Sequence, residues 1–216
     1  MADDPVVFVV DDDVSVRESL ELLIRSAGWE PELFPSATAF LARPPVLVPS
    51  CLILDVSLPD LNGLELQERI AADRLDLPII FITGHGDVPM TVRAMKAGAA
   101  EFLTKPFAAE VLLQAVRHAL ERSRAALDQA AELRALRDCY AGLSRREQEV
   151  MTLVTSGLLN KQVGGRLGIS EITVKAHRGR VMRKMRANSL ADLVTMAAKL
   201  GLRPTTADRW QVAARP

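Results

Sequence analysis

The chain has 216 residues with ample aliphatic content and only 4% aromatics, enough for one large core or two small ones. No run of about 18 uncharged apolar residues occurs, and the acidic start MADDPVVF lacks a basic segment and a cleavage site, so the sequence argues against a membrane span and a secretory signal. A net charge of zero hides a division: residues 1–120 hold 18 acids and 9 bases, a balance of −9, and residues 121–216 hold the reverse, a balance of +9. Two modules with different partners are expected, the basic one a candidate for nucleic acid. Cys51 and Cys139 lie far apart and read as reduced thiols, which with the rest points to the cytoplasm.

Through the first 120 residues short apolar strands alternate with amphipathic helices. The strands are expected at 5–11, 30–34, 50–55, 78–82 and 101–104, and the helices at 14–27, 36–43, 62–73, 87–98 and 108–121. Gly28 and Gly98 sit where a left-handed residue would close the first and fourth helices. Such alternation implies a parallel sheet with helices on both faces, and a functional crevice beyond the carboxyl ends of the strands. The first strand, VVFVV, runs straight into Asp11, Asp12 and Asp13. Asp13 can cap the next helix, but that leaves two crowded carboxylates unexplained.

The other strand ends supply an explanation. Asp55 ends the third strand, Thr83 the fourth and Lys105 follows the fifth, so three carboxylates, a hydroxyl and an ammonium should converge. Crowded carboxylates call for a cation, and oxygen ligands of this kind suit Mg2+. Such a site suits a phosphoryl group, to which Lys105 can pair as a point charge and Thr83 can donate a hydrogen bond. Taken singly, each residue has a plainer reading: a capping Asp55, a β-forming Thr83, a solvated Lys105. Their placement at four strand ends argues for a shared site.

These stretches, "VVDDDVSVRESL", "LILDVSLPDLNGLEL", "IIFITGHGD" and "AGAAEFLTKPF", closely resemble the receiver domain of bacterial two-component response regulators over residues 5 to about 122. The resemblance implies an α/β flavodoxin-like (βα)5 fold with strand order 2-1-3-4-5. It implies Asp55 as the acceptor of a phosphoryl group from a histidine kinase, with Asp11 and Asp12 as the acidic pair. By the same match Mg2+ meets Asp12, Asp55 and the backbone carbonyl of Ser57. Thr83 and Lys105 match the family's switch hydroxyl and lysine, and Lys105-Pro106 its cis-proline bond. Phe102 falls at the aromatic switch position, where Phe can act only by packing. The expected consequence is homodimerisation through helix 87–98, strand 101–104 and helix 108–121 on phosphorylation.

Residues 123–142 contain no Pro and no Gly before Gly142, and read as a helical linker between a receiver at 1–122 and a domain at 143–200. Leu133, Leu136, Tyr140 and Leu143 form an apolar stripe that can pack in cis on the next domain or pair in trans with a second copy. Trans pairing is the favoured expectation.

From Leu143 the pattern is helical throughout. Ser144 with Glu147 forms a capping box, Gly157 and Gly168 end two helices, and Asn160, Ser170 and Ser189 are expected caps. Two short helices joined by Gly-Ile-Ser have the form of a helix-turn-helix. On the second of these, Val174, Val181 and Met185 share one face with His177 at its edge, and the other face carries Ala176, Gly179 and Arg183 flanked by Lys175, Arg180 and Arg186. The candidates for base contact are Thr173, Lys175, Ala176, Gly179, Arg180 and Arg183; Lys161, Arg178 and Arg186 are assigned to the phosphate backbone. Residues 144–186 carry a balance of +7.

The run from Leu143 to Ala197 resembles the LuxR-type DNA-binding domain of FixJ/NarL-class regulators, which implies a four-helix domain binding promoter DNA as a dimer. Gly164-Gly165 departs from the Ala frequent in relatives, and a marginal helix is expected there. The tail 201–216 lacks periodicity and is expected to be loosely ordered, with Trp210 a docking candidate.

The leading expectation is a phosphorylation-controlled transcription regulator, no enzyme beyond its own phosphorylation and dephosphorylation, with a sensor histidine kinase, promoter DNA and RNA polymerase as partners. Two alternatives stand beside it: a Mg2+-dependent phosphohydrolase with an Asp nucleophile, and a DNA-binding regulator independent of phosphorylation. No general acid for a leaving group is visible in the sequence for the first, and the complete Asp, Thr and Lys set argues against the second.

Overall fold

The computed structural model describes residues 4–73, 77–84 and 87–202; the tail segment 203–216, Trp210 included, lies outside the described residues. The chain divides into two compact units, Met1–Gln129 and Ala130–Pro216. In the first unit β1 (Val6–Val10), β2 (Glu30–Phe34), β3 (Ser50–Asp55), β4 (Ile79–Thr83) and β5 (Glu101–Thr104) alternate with α1 (Val14–Ser26), α2 (Ala37–Leu41), α3 (Gly63–Asp73), α4 (Val88–Lys96) and α5 (Ala109–Ala141). All strand pairs are parallel, in the order 2-1-3-4-5. This is the flavodoxin-like arrangement, and its order reverses between β1 and β3.

The period of two along each strand divides the core into two layers. Val7, Val9, Cys51, Ile53, Ile80 and Ile82 pack with Leu20 and Ile24 of α1 and Leu112 and Val116 of α5. Phe8, Val10, Leu52, Leu54 and Phe81 pack on the other face with Phe40 of α2, Leu66 and Ile70 of α3, and Ala94 of α4. The central strands are apolar on both faces, which is why they read as unbroken runs. Phe8, Phe34 and Phe40 pack edge-on or tilted at 5.3–6.2 Å between ring centroids, bringing α2 onto β1 and β2. Burial pushes the Cys51 thiol well up, consistent with an inert core residue. Gly28 and Gly98 adopt φ of +81° and +92°, as their positions after α1 and α4 require.

The second unit contains α6 (Arg145–Thr155), α7 (Asn160–Leu167), α8 (Glu171–Lys184) and α9 (Leu190–Lys199). Val150, Met151, Val154, Val163, Val174, Val181, Met185, Leu193 and Ala197 form its core. Ser144 caps α6 in a reciprocal box with Glu147, and Ser170 and Ser189 cap α8 and α9. Asn160 is not the cap of α7: it is the first helical residue, and the Leu159 N–H donates to Gln162 Oε1 at 2.8 Å. A Leu with no side-chain acceptor takes the cap position because Gln162 supplies half of a box from within the helix.

Segment 123–142 is helical within α5, and the division between the units falls inside it. All of the stripe on it but Leu133, which is half-buried and outside the core of the second unit, is occupied in cis, against the expectation of pairing in trans. Leu136 and Leu143 are buried in the core of the second unit, and Cys139 and Tyr140 pack on that core. Burial against this core removes from water the apolar surface that a second copy would have used.

Gly164 and Gly165 also part company. A Cβ on Gly164 would lie 2.7 Å from the Ile169 carbonyl oxygen, whereas one on Gly165 would meet open space. The turn into α8 therefore approaches α7 at a point where only Gly fits, and the helix-propensity cost is gratuitous at Gly165 alone.

Glu147 ties the box to α8. Its carboxylate accepts hydrogen bonds from Lys184 Nζ at 2.7 Å and Ser144 N–H at 2.9 Å, with the side chain 5% exposed. These bonds, Lys184's first, hold the carboxyl below its usual range.

Two outcomes follow for stability. Gly165→Ala should stabilise the second unit by up to about 1 kcal/mol, and Gly164→Ala should destabilise it by about 1–3 kcal/mol, read by urea unfolding of the full chain with NMR signals from α6–α8. Because the folded Glu147 pKa lies below the unfolded value, its contribution is present above about pH 4.5 and is lost as pH falls through the folded value. Glu147→Gln should cost about 1–2 kcal/mol at pH 7 in the same measurement, and should remove that part of the acid-induced loss.

Candidate functional site

The reversal of strand order at β1 and β3 places their carboxyl ends beside one another. Asp11 and Asp12 follow β1 and Asp55 ends β3, and each offers an oxygen within 4.8 Å of the others. Asp11 is fully buried, Asp55 nearly so, and Asp12 exposed. From the end of β5, Lys105 Nζ reaches Asp11 Oδ2 at 2.8 Å and Asp55 Oδ2 at 3.2 Å. The Lys105-Pro106 bond is cis, as the resemblance implied.

The second oxygen of each buried carboxylate is held by backbone. Asp11 Oδ1 accepts from the Asp13 N–H at 2.9 Å, and Asp55 Oδ1 from the Ser57 N–H at 3.2 Å. Asp13 caps α1, its Oδ1 accepting from Ser15 N–H at 2.8 Å and Val16 N–H at 3.4 Å. The three consecutive carboxylates thus have separate duties: one buried under Lys105, one exposed at the cluster, one holding a helix.

Burial pushes the Asp11 carboxyl above its usual range, with Lys105 and the Asp13 N–H opposing and the Asp55 charge adding to the rise. Burial acts to lower the Lys105 pKa, but its contacts with Asp11 and Asp55 prevail and the ammonium is held above its usual value. One ammonium facing three carboxylates leaves the cluster negative.

Thr83 is buried at the end of β4, opposite Thr104 of β5, and its carbonyl accepts the Lys105 N–H at 2.7 Å. Phe102 stands opposite Phe81, is half-buried and tilts toward it at 6.0 Å between centroids. The structure therefore brings Asp11, Asp12, Asp55 and Lys105 together, with Thr83 at the adjoining strand end.

Three supporting residues escaped the sequence reading. Arg17 donates to the Asp11 carbonyl at 2.6 Å, bringing a guanidinium beside the cluster without pairing to a carboxylate. Gly63 opens α3 so close to the strand end that a Cβ would lie 2.7 Å from the Asp55 carbonyl. Asp60 accepts from Thr38 N–H at 2.9 Å, Thr38 Oγ1 at 2.8 Å and Ala37 N–H at 3.3 Å, tying the loop after β3 to the start of α2. Desolvation acts to raise the Asp60 pKa, but these hydrogen bonds outweigh it and hold the carboxyl below its usual range. Such contacts leave no signal in local pattern; only the glycine after the Pro-Asp-Leu-Asn turn hints at a close approach.

In the second unit α8 buries Val174, Val181 and Met185, as its periodicity predicts. Lys175, Ala176, Gly179, Arg180 and Arg183 are exposed on the other side, as are Lys161 of α7 and Arg186 after α8. Lys175 pairs with Glu171 at 3.1 Å. Thr173 is half-buried and shares its hydroxyl with the Ser170 cap at 2.8 Å. Arg178 is half-buried, 3.5 Å from Asn160 Oδ1, and His177 lies at the edge of the core with Nδ1 buried. Arg186 has φ +56°, an unusual conformation for a residue with a side chain.

Two family models match the chain: the response regulator receiver domain over residues 7–117, and the luxR family of bacterial regulatory proteins over residues 141–197. Nodulation protein W of Bradyrhizobium diazoefficiens is 52% identical over 207 residues, which cover 96% of this chain and 91% of that one. The transcriptional regulatory protein FixJ of Rhizobium meliloti is 41% identical, covering 94% of this chain and 99% of that one. The structure of the response regulator StyR is similar at a TM-score of 0.81 and 48% identity, covering 91% of this chain and all of that one. The acidic strand-end cluster and the basic helix thus belong to one known combination. The chain belongs to the two-component response regulators that join a receiver domain to a LuxR-type DNA-binding domain, and it is a phosphorylation-regulated regulator of transcription.

Proposed function

We propose that Asp55 is the phosphoacceptor, taking a phosphoryl group from a sensor histidine kinase, with Mg2+ held by Asp12, Asp55 and the Ser57 carbonyl beside Asp11. One observation carries this reading: a nearly buried carboxylate at a strand end shares a lysine with Asp11, inside a cluster of excess negative charge. The donor set fits the ion, since hard carboxylate oxygens confined within 4.8 Å suit Mg2+ better than softer metals. When bound, the ion supplies charge neutralisation for the transferring phosphoryl oxygens.

The chain's own residues do the rest. Asp55 attacks the phosphorus of the kinase's phosphohistidine through a carboxylate oxygen, so that an O–P bond forms as the P–N bond breaks and the kinase imidazole leaves, giving an acyl phosphate. Lys105, already between Asp55 and Asp11, pairs with the phosphoryl oxygens that arrive. The added charge is roughly −2 at pH 7. Thr83 donates to it from the end of β4, and Phe102 repacks against the space that opens beside Phe81. The surface this reshapes carries exposed Val92 and Met95 on α4 and Val111 on α5, apolar groups suited to a second copy of the chain. The phosphorylated protein is accordingly a homodimer in the cytoplasm that presents two copies of α8 to promoter DNA and works with RNA polymerase. Lys175, Ala176, Gly179, Arg180 and Arg183, with Thr173 at the start, face base edges, while Lys161, Arg178 and Arg186 hold the backbone. Its only chemistry is phosphorylation and dephosphorylation of itself.

Three measurements check this. Acetyl phosphate with Mg2+ should add one phosphoryl mass, mapped to Asp55, and Asp55→Asn should abolish it; modification elsewhere would refute the assignment. Thr83→Ala should keep that mass shift while losing phosphate-dependent dimerisation in sedimentation. Removing one cluster charge by Asp12→Asn should stabilise the metal-free receiver by up to about 1 kcal/mol in urea unfolding of the full chain and abolish added stability from millimolar Mg2+.

A further inference from the structure

One apolar side chain stands where the DNA-facing surface is otherwise small or basic. Ile172, the second residue of α8, is 80% exposed. It is β-branched and its charged neighbours do not cover it; exposure of a single apolar residue is ordinary, and what distinguishes this one is its place on the helix. At 3.6 residues per turn Ile172, Ala176, Gly179 and Arg183 occupy positions i, i+4, i+7 and i+11, within a sector of about 60°. The buried residues Val174, Val181 and Met185 occupy the opposite side. Ile172 therefore lies in the middle of the stripe assigned above to DNA.

Its place along the axis matters as much as its place around it. The N-terminal residues of a recognition helix contact base edges. Arg183 is eleven residues on, about 16 Å along the axis at 1.5 Å per residue. Ala176 and Gly179 offer almost no side chain, so the helix can sit deep, and a Cβ on Gly179 would meet open space. The Ser170 cap and the Thr173 hydroxyl satisfy each other, leaving the first turn with an apolar tip. Ile172 has no hydrogen-bonding group with which to read a purine or a cytosine. The one apolar feature of the major groove is the thymine 5-methyl group.

We infer that Ile172 is a specificity-determining residue that packs on a thymine methyl group in each half-site, so that an A·T pair is selected by an apolar contact. This rests on the reading above that α8 faces base edges of promoter DNA, here in the major groove. Removing the methyl should weaken binding about three- to five-fold, the scale of burying one methyl-sized group. Because no charge is involved, the salt dependence of binding should be unchanged.

The test uses the full chain activated with beryllofluoride and a duplex enriched by it from a randomised pool. Each thymine of that duplex is replaced in turn by uracil, which lacks only the methyl. Wild type should lose about three- to five-fold at one or two positions per half-site. Ile172→Ala should bind the thymine duplex correspondingly more weakly and be indifferent to uracil at those positions, and Ile172→Val should restore the dependence. Equal losses in wild type and Ile172→Ala would show that another residue reads the methyl, and no loss at any position would show that no methyl is read. Either result overturns the inference and leaves DNA binding standing. Failure of wild type to enrich any duplex would sink the placement of α8 as well. Ile172 is exposed, so unchanged helix signals in the variants' NMR spectra separate a lost contact from a lost fold.

Discussion

A single ammonium group shared between two carboxylates organises the receiver. Lys105 arrives from the end of β5 and contacts Asp11 beyond β1 and Asp55 at the end of β3, side chains 94 and 50 residues away in the chain. The pairing is affordable only because the strand order 2-1-3-4-5 puts β1 and β3 side by side. It is also incomplete. Two carboxylates share one cation, and Asp12 adds a third negative group with which no lysine pairs among the described residues. Burial of Asp11 aggravates this, which is why its carboxyl resists ionisation more than a free one. A site with that imbalance favours a further cation.

The same economy governs the surroundings. Gly63 lets α3 start against the Asp55 carbonyl, Asp60 ties the loop to α2, and Arg17 holds the Asp11 carbonyl. These contacts hold the backbone that carries Asp11 and Asp55, and Thr83 and Phe102 sit on the neighbouring strands β4 and β5. The second unit follows the reverse logic. Its cations lie on the outside of a helix whose inner face is apolar, so their charge remains available to a polyanion.

Much of this was legible in the residues. Unbroken apolar runs and capped helices placed β1–β5 and most of α1–α9 to within a few residues, although α5, expected at 108–121, continues through the linker segment to Ala141. The rule for open parallel sheets gathered Asp11, Asp12, Asp55, Thr83 and Lys105. What was not legible depends on contacts between distant segments. Asn160 looks like a cap until Gln162 is seen serving Leu159 from inside the helix. The stripe of Leu136, Tyr140 and Leu143 is equally suited to cis or trans packing by period alone, and the core of the second unit decides it. Gly164 looks like a weakness until the Ile169 carbonyl is found where its Cβ would be.

The account depends on the acidic cluster holding one divalent ion, and calorimetric titration of Mg2+ into the full chain tests that most directly. One saturable site per chain is expected, absent when Asp12 and Asp55 are both replaced by Asn and unaffected by Arg183→Ala in the basic helix of the second unit. Saturable binding that survives the double replacement, or none in the wild-type chain, would contradict it.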